Sequence, residues 1–169
     1  MGVIYGTSYQ RTDDGAIAVD HNGAPLINPE LQRIGDPTPD FTIGIAPSLS
    51  WKKFDFSFDM EYNCGGDRWN GTKAFIEKLP AKPAEEYIED ASCFRLSQSL
   101  LSYRIISNKH NKVVRGMKIG VSAQNLFVVS PYKGTDPATN LFGYSTGKGL
   151  DLFNMPSMRS YQFFVNIRF

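Results

Sequence analysis

Between residues 54 and 62 apolar and polar side chains alternate without a break. Phe54, Phe56, Phe58, Met60 and Tyr62 fall on one side of an extended chain, and Asp55, Ser57, Asp59 and Glu61 on the other. The same period closes the chain, where Tyr161, Phe163, Val165, Ile167 and Phe169 share one face and Gln162, Asn166 and Arg168 the other, with Phe164 as the exception. Successive side chains of a strand point to opposite faces, so both runs predict β-strands with one oily and one polar surface. Residues 41–50 hold Phe41, Ile43, Ile45 and Leu49 in phase, but Pro47 interrupts them and predicts an edge or a bulge. Residues 92–106 shift their apolar phase from Phe94 and Leu96 to Leu101, Tyr103 and Ile105, which predicts a bulge near 98–100 or a segment whose upper part faces other protein. A further strand is predicted at 117–124, where Met117, Ile119, Val121 and Ala123 alternate with Lys118, Gly120, Ser122 and Gln124.

The connections have a pattern of their own. From the last strand backward they run long (residues 130–157), short (108–112), long (63–91) and short (Trp51-Lys52-Lys53). The first long excursion contains a predicted helical turn at 84–90. Residues 1–40 are expected to be irregular, because Thr12-Asp13-Asp14-Gly15, His21-Asn22-Gly23-Ala24-Pro25 and Asn28-Pro29 are closely spaced turn signals. Ala16-Ile17-Ala18-Val19 is the one candidate hairpin arm there. The oxygens of Asp13, Asp14, Asp20 and Asn22 lack the spacing and closing Glu of a calcium loop, so a solvated turn is expected.

Alternating long and short connections, strands as long as the ~9 to 11 residues that cross a bilayer at a tilt, and a terminal aromatic face together predict an all-β antiparallel transmembrane barrel segment. About five C-terminal strands of a larger barrel carry long extracellular loops in this reading. Residues 1–40 form an extracellular loop region, and 41–169 the barrel strands and their loops. Parity places Phe169, the Trp51 hairpin and the 108–112 turn on the periplasmic side, with Trp51, Tyr62 and Tyr103 near strand ends where an aromatic girdle sits. The alternative is a soluble β-sandwich such as a carbohydrate-binding module, which needs a second set of strands over the oily face. An autonomous small pore would need about eight strands.

Composition narrows the function classes. The chain of 169 residues has a net charge of +1, which gives no electrostatic case for nucleic acid. Aromatics at 13%, with 15 Gly and 10 Pro, fit a β-rich chain with many turns. No apolar run is long enough for a transmembrane helix. His21 and His110 fall in predicted turns with no nucleophile motif beside them. Asp55, Asp59 and Glu61 read as a hydrated lumen face, so no enzyme, metal or cofactor is expected. The start at Met1-Gly2-Val3-Ile4 lacks the basic and apolar regions of a secretory signal, so the chain is expected to be a piece whose leading portion lies elsewhere.

Five ordered stretches give the reading a family. Ile34-Gly35-Asp36-Pro37-Thr38-Pro39-Asp40-Phe41 comes first, then Asp90-Ala91-Ser92-Cys93-Phe94-Arg95-Leu96 with Leu101-Ser102-Tyr103. Gln124-Asn125-Leu126-Phe127, Tyr132-Lys133-Gly134-Thr135-Asp136-Pro137 and Met155-Pro156 follow. In this order they resemble the C-terminal end of the SusC/RagA family of TonB-dependent outer-membrane transporters. Two positions depart from that pattern: Ala138 stands where an acidic residue is usual, and Phe164 where a glycine is.

The resemblance implies a barrel of about 22 strands with a plugged lumen. It also implies import of oligosaccharides or peptides, a SusD-like surface lipoprotein as lid, and energy from the TonB complex acting through an N-terminal plug region absent from this chain. Substrate contact then belongs to the outer loops, where Trp69, Tyr132, Phe142 and Tyr144 offer flat rings and Asn70, Asp136 and Asn140 polar partners, the alternatives for these rings being solvated loop positions or contacts to a lid. Outer-membrane lipid would meet Phe54, Phe56, Phe58, Met60 and Tyr62. Cys64 and Cys93 both fall near the outer rim; a disulfide between them would add about 3 kcal/mol, and two unrelated thiols is the favoured alternative.

Overall fold

A computed structural model describes residues 2–77, 82–106, 116–143 and 147–169. The predicted turn at 108–112 and Tyr144 lie outside the described residues. In chain order the strands are β1 (Ile4–Tyr9), β2 (Ile27–Gly35), β3 (Phe41–Ile45), β4 (Ser48–Trp51), β5 (Phe54–Cys64) and β6 (Asp67–Asn70). A short helix α1 (Gly71–Ile76) and a 3-10 turn (Ala84–Tyr87) precede β7 (Ile88–Asp90), β8 (Cys93–Ile106), β9 (Gly116–Val129), β10 (Leu150–Asp151) and β11 (Ser160–Arg168). They sort into a wall unit (Thr42–Tyr62, Cys93–Val129, Ser157–Phe169) and a loop unit (Met1–Phe41, Asn63–Ser92, Ser130–Pro156).

The wall is one sheet in the order β11-β9-β8-β5-β3, with β4 also on β5. Pro47 cannot donate to a ladder, so the first predicted strand is cut into β3 and β4, and the Pro47 carbonyl accepts from the Phe58 N–H at 3.3 Å. Trp51 then faces Phe54 across a two-residue turn. Lys52 takes φ 55° there, the left-handed geometry that matches a tight turn to the twist of its strands. Between β9 and β11 the register is unbroken from Gln124↔Ser160 to Gly116↔Arg168. Phe164, out of phase in sequence, lies on the polar face over Gly120, where a Cβ would collide with its ring.

A bulge is present but lies just before the predicted 98–100, which pair in unbroken register, and its strained residue is on the partner strand. The β8/β9 register shifts between Leu96 and Gln98, opposite Asn125 at φ 51°. Asn tolerates this left-handed conformation better than other residues with a Cβ. Its side chain is also used twice: Oδ1 accepts from Arg95 Nη1 at 3.4 Å, and Nδ2 donates to the Met158 carbonyl at 3.0 Å. Arg95 is buried and also donates to Ser157 Oγ at 3.2 Å. Asn125→Ala is expected to cost about 1 kcal/mol in chemical unfolding, with Asn125→Gly losing less because glycine keeps the backbone unstrained.

The oily face of the wall stays uncovered. Phe163 is 84% exposed, and Tyr161, Val165, Ile167, Phe169, Phe54, Phe56 and Tyr62 are exposed as well, while Phe58 and Met60 are half-buried. The other face carries an ionic ladder. Asp55 accepts from Ser50 Oγ at 2.8 Å and pairs with Arg104 at 2.9 Å and Lys118 at 3.0 Å, tying β4, β5, β8 and β9 together.

In the loop unit, residues 2–40 are ordered rather than irregular. β1 and β2 pair antiparallel from Ile4↔Gly35 to Tyr9↔Ile27. The turn signals are real but local. Gly15 N–H and Gly23 N–H close tight turns on the Thr12 and Asp20 carbonyls, and Asp20 Oδ1 accepts from the N–H groups of Asn22 and Ala24. The longer ribbon around them buries one face of β1, at Ile4, Gly6 and Ser8. The remaining small sheet runs β10-β6-β7, with β10 parallel to β6.

Candidate functional site in the loop unit

Three of the family-like stretches meet in one hydrogen-bonded seam. Asp36 and Asp67 exchange two bonds: the Asp36 N–H donates to Asp67 Oδ2 at 2.8 Å, and the Asp67 N–H to the Asp36 carbonyl at 2.7 Å. A Cβ on Gly35 would come within 2.9 Å of Asp67 Cβ, so the approach requires glycine. Asp36 Oδ1 also accepts from the Thr38 N–H at 3.0 Å, turning the chain at the two prolines. Gly65 (φ 74°) and Gly66 (φ 87°) let the end of β5 pass against Asp40 and Pro39.

Ser92 completes the seam. Its Oγ accepts from the Gly65 N–H at 2.8 Å and donates to Asp90 Oδ1 at 2.6 Å, and its carbonyl accepts from Ser130 Oγ at 2.6 Å. Ser130 Oγ then accepts from the Tyr132 N–H at 3.1 Å. A cleft of about 590 Å³ lies along it, lined by Asp36, Asp40, Asp67 and Asp90 with Arg33 and Ser92.

Beyond the seam lies a buried polar knot. The Tyr132 hydroxyl donates to Asp151 Oδ2 at 2.5 Å. Asp151 is 1% exposed and Tyr132 7%. Burial, then the hydrogen bond to Asp151 and its charge, push the Tyr132 phenol far above the usual tyrosine range. The guanidinium of Arg68, also buried, sits 5.8 Å from the Tyr132 ring centre. Glu89 ties the neighbouring elements: Oε1 pairs with Lys73 at 3.2 Å, and Oε2 accepts from the Lys133 N–H at 2.9 Å and from Asn70 Nδ2 at 3.4 Å. Asn70 Oδ1 caps α1 by accepting from the Lys73 N–H at 3.0 Å.

The loop rings named from sequence are therefore not equivalent. Phe142 is 62% exposed. Trp69 is half-buried, its ring lies against Gly71, and its Nε1 is enclosed without a partner among the described residues. Tyr132 is a correction: it is spent inside the loop unit, because its hydroxyl is what satisfies a buried carboxylate. The proposed polar partners have the same inward use. Asp136 Oδ1 accepts from the Ala138 N–H, and Asn140 Oδ1 from the Gly149 N–H, both at 2.9 Å. Neither Cys64 nor Cys93 is disulfide-bonded, so the bridge considered from sequence is not formed. Sequence reading missed Arg68, Glu89 and Asp151, which no periodicity marks.

A second contact set holds the β1/β2 ribbon to the 3-10 turn. The Tyr9 N–H donates to Glu85 Oε1 at 2.9 Å, the Tyr9 hydroxyl to Glu86 Oε1 at 3.0 Å, and Lys82 pairs with Glu86 at 2.9 Å. The bonds from Lys82 and then Tyr9 hold the Glu86 carboxyl below the usual glutamate range. A depressed carboxyl adds stability that is present above the unfolded value and lost as pH falls through the folded one. Amides of β1 are thus expected to lose hydrogen-exchange protection below about pH 4, and Glu86→Gln to lack that dependence.

These features define a class first: an antiparallel β wall with one uncovered apolar face, and a separate unit of ordered loops. Comparison with known proteins then gives what the chain is similar to. The TonB-dependent receptor P3 of Formosa agariphila is 26% identical over 185 residues, a match covering 89% of this chain and 18% of that receptor. The RagAB peptide transporter shares the fold at a TM-score of 0.70 and 21% identity, over 98% of this chain and 22% of that one. The RagAB peptide importer does so in its closed-closed state (0.65, 20% identity, 98% and 23%) and in its open-open state (0.69, 20% identity, 99% and 22%). No family model matches the chain. The resemblance read from the motifs is borne out to this extent: the chain is similar to a TonB-dependent receptor and shares the fold of the RagAB structures, spanning about a fifth of their length. Its relatives are receptors and importers rather than enzymes.

Proposed function

We propose that this chain supplies part of the wall and outer loops of an outer-membrane active transporter that imports peptides or oligosaccharides. The single observation that carries this reading is the uncovered oily face of β5, β9 and β11, backed by an ionic ladder on the opposite face. Water on both faces would leave that many aromatic side chains exposed at a cost of about 25 cal/mol per Å². Lipid on one side and an aqueous lumen on the other removes the cost. Phe54, Phe56, Phe58, Met60 and Tyr62 then face lipid, and Tyr161, Phe163, Val165, Ile167 and Phe169 form the strand that joins this wall to the rest of a larger barrel.

Residues 1–40 and the two long excursions lie outside the cell in this reading. A SusD-like lipoprotein closes over them, and the TonB complex acts through a plug supplied by sequence beyond this chain. Fractionation of cells making the natural product tests it. The chain is expected in the outer-membrane fraction and to be released only by detergent. A folded, monodisperse sample in detergent-free buffer would overturn the proposal and favour the β-sandwich.

A further inference from the structure

The hairpin end of the wall sets an aromatic cluster beside two lysines. Trp51 stands opposite Phe54 in the β4/β5 pair. Residues directly opposite across an antiparallel ladder share a face, so the Trp51 ring, 62% exposed, continues the oily side. The Phe54 ring lies 4.7 Å from that of Tyr103, which adds a third aromatic side chain at this level. Lys52 and Lys53, both exposed, form the turn itself. The Lys52 ammonium lies 4.9 Å from the centre of the Trp51 ring, a cation–π contact that holds the charge at the apolar edge. Lys52 also takes φ 55°, a conformation that glycine or asparagine adopts at lower cost, so the turn carries a cation against local preference.

Nothing on the page neutralises the pair. Neither lysine is in an ion pair among the described residues, and the acid nearest in sequence, Asp55, is already bonded to Arg104 and Lys118 on the opposite face. The Lys53 carbonyl accepts from the Arg104 N–H at 2.8 Å, which ties the turn to β8 and keeps both charges at the end of the sheet. An apolar surface rimmed by fixed positive charge complements an apolar medium rimmed by negative charge. We propose that the Trp51-Lys52-Lys53 hairpin binds the phosphodiester headgroups of an anionic phospholipid leaflet. The rings seat at the edge of the hydrocarbon, and the two ammonium groups meet the phosphates just beyond it. Each lysine near such a surface contributes about a fivefold preference for anionic lipid. This inference rests on the reading of the oily face as lipid-facing.

The test is quenching of Trp51 fluorescence in the full protein in neutral detergent, with brominated phosphatidylglycerol or brominated phosphatidylcholine mixed into the micelles. Subtracting the signal of Trp51→Phe isolates the contribution of Trp51. Half-quenching is expected at an about 25-fold lower proportion of the anionic lipid, the product of two lysines. Lys52→Gln and Lys53→Gln should each reduce that preference about fivefold, and Lys148→Gln in the loop unit should leave it intact. Excess soluble glycerol phosphate should not displace the lipid. Equal quenching by the two lipids, a preference that survives the double Lys52→Gln/Lys53→Gln variant, or displacement by glycerol phosphate overturns the proposal. Equal quenching still leaves the wall in lipid, whereas no quenching by either lipid removes the importer reading with it.

Discussion

Tyr132→Phe is expected to destabilise the loop unit by about 3 kcal/mol, although it removes a single oxygen. That oxygen is the donor to Asp151, whose side chain is fully enclosed. Loss of one partner from a buried pair costs more than the bond itself, because the remaining charged group keeps its desolvation penalty with less to offset it. Asp151 would retain the Asn154 N–H, which reaches Oδ1 at a long 3.4 Å. Asp151→Asn should cost less, since it removes the buried charge along with the strong acceptor.

The same pair gives a pH signature. A phenol raised above its ordinary value contributes stability that is complete below the unfolded tyrosine range and declines as pH rises past about 10. Thermal unfolding followed by tryptophan fluorescence should therefore show wild type losing more stability than Tyr132→Phe between about pH 9.5 and 11, since Tyr9 and Lys82, also raised, contribute to both curves. Parallel curves would show that the Tyr132 hydroxyl does not carry the knot.

The knot also marks where sequence reading stops. Strands β5, β9 and β11 were legible because each has one oily face, and a period of two survives any tertiary context that keeps that face apolar. Pro47 was legible for a different reason: a missing N–H breaks a ladder wherever it stands. The β1/β2 ribbon was not legible, because Ile4 finds its partner Gly35 across a long stretch of genuine local turns, and those signals mask the pairing around them.

The loop unit was harder still. Its segments come from three distant parts of the chain and are joined by polar contacts such as Asp36 with Asp67 and Ser92 with Gly65. Hydrogen-bond partners leave no periodic trace. The motifs around Asp36, Ser92 and Tyr132 were visible as strings, but not the fact that they meet. Tyr132 was misread for that reason: an aromatic residue in a Gly-rich loop looks available until the buried acid beside it is seen.

An arginine scan down the oily face of β11 carries the other large effect. Val165 sits at the middle of the strand, opposite Ile119, with Tyr161 and Phe169 toward the two ends. If that face meets hydrocarbon, Val165→Arg should cost about 2 to 4 kcal/mol in urea unfolding from lipid vesicles, and Tyr161→Arg and Phe169→Arg about 0 to 1, because an end residue can reach the interface. Gln162→Arg, on the polar face opposite Ser122, should be nearly neutral. The profile distinguishes the environments. A face open to water tolerates arginine at all three positions, and a face covered by a second protein layer rejects it according to local packing, with no dependence on depth in a bilayer. A cost that peaks at Val165 and falls toward both ends requires an apolar medium of finite thickness. A flat profile along β11 would remove the membrane from the account of this wall.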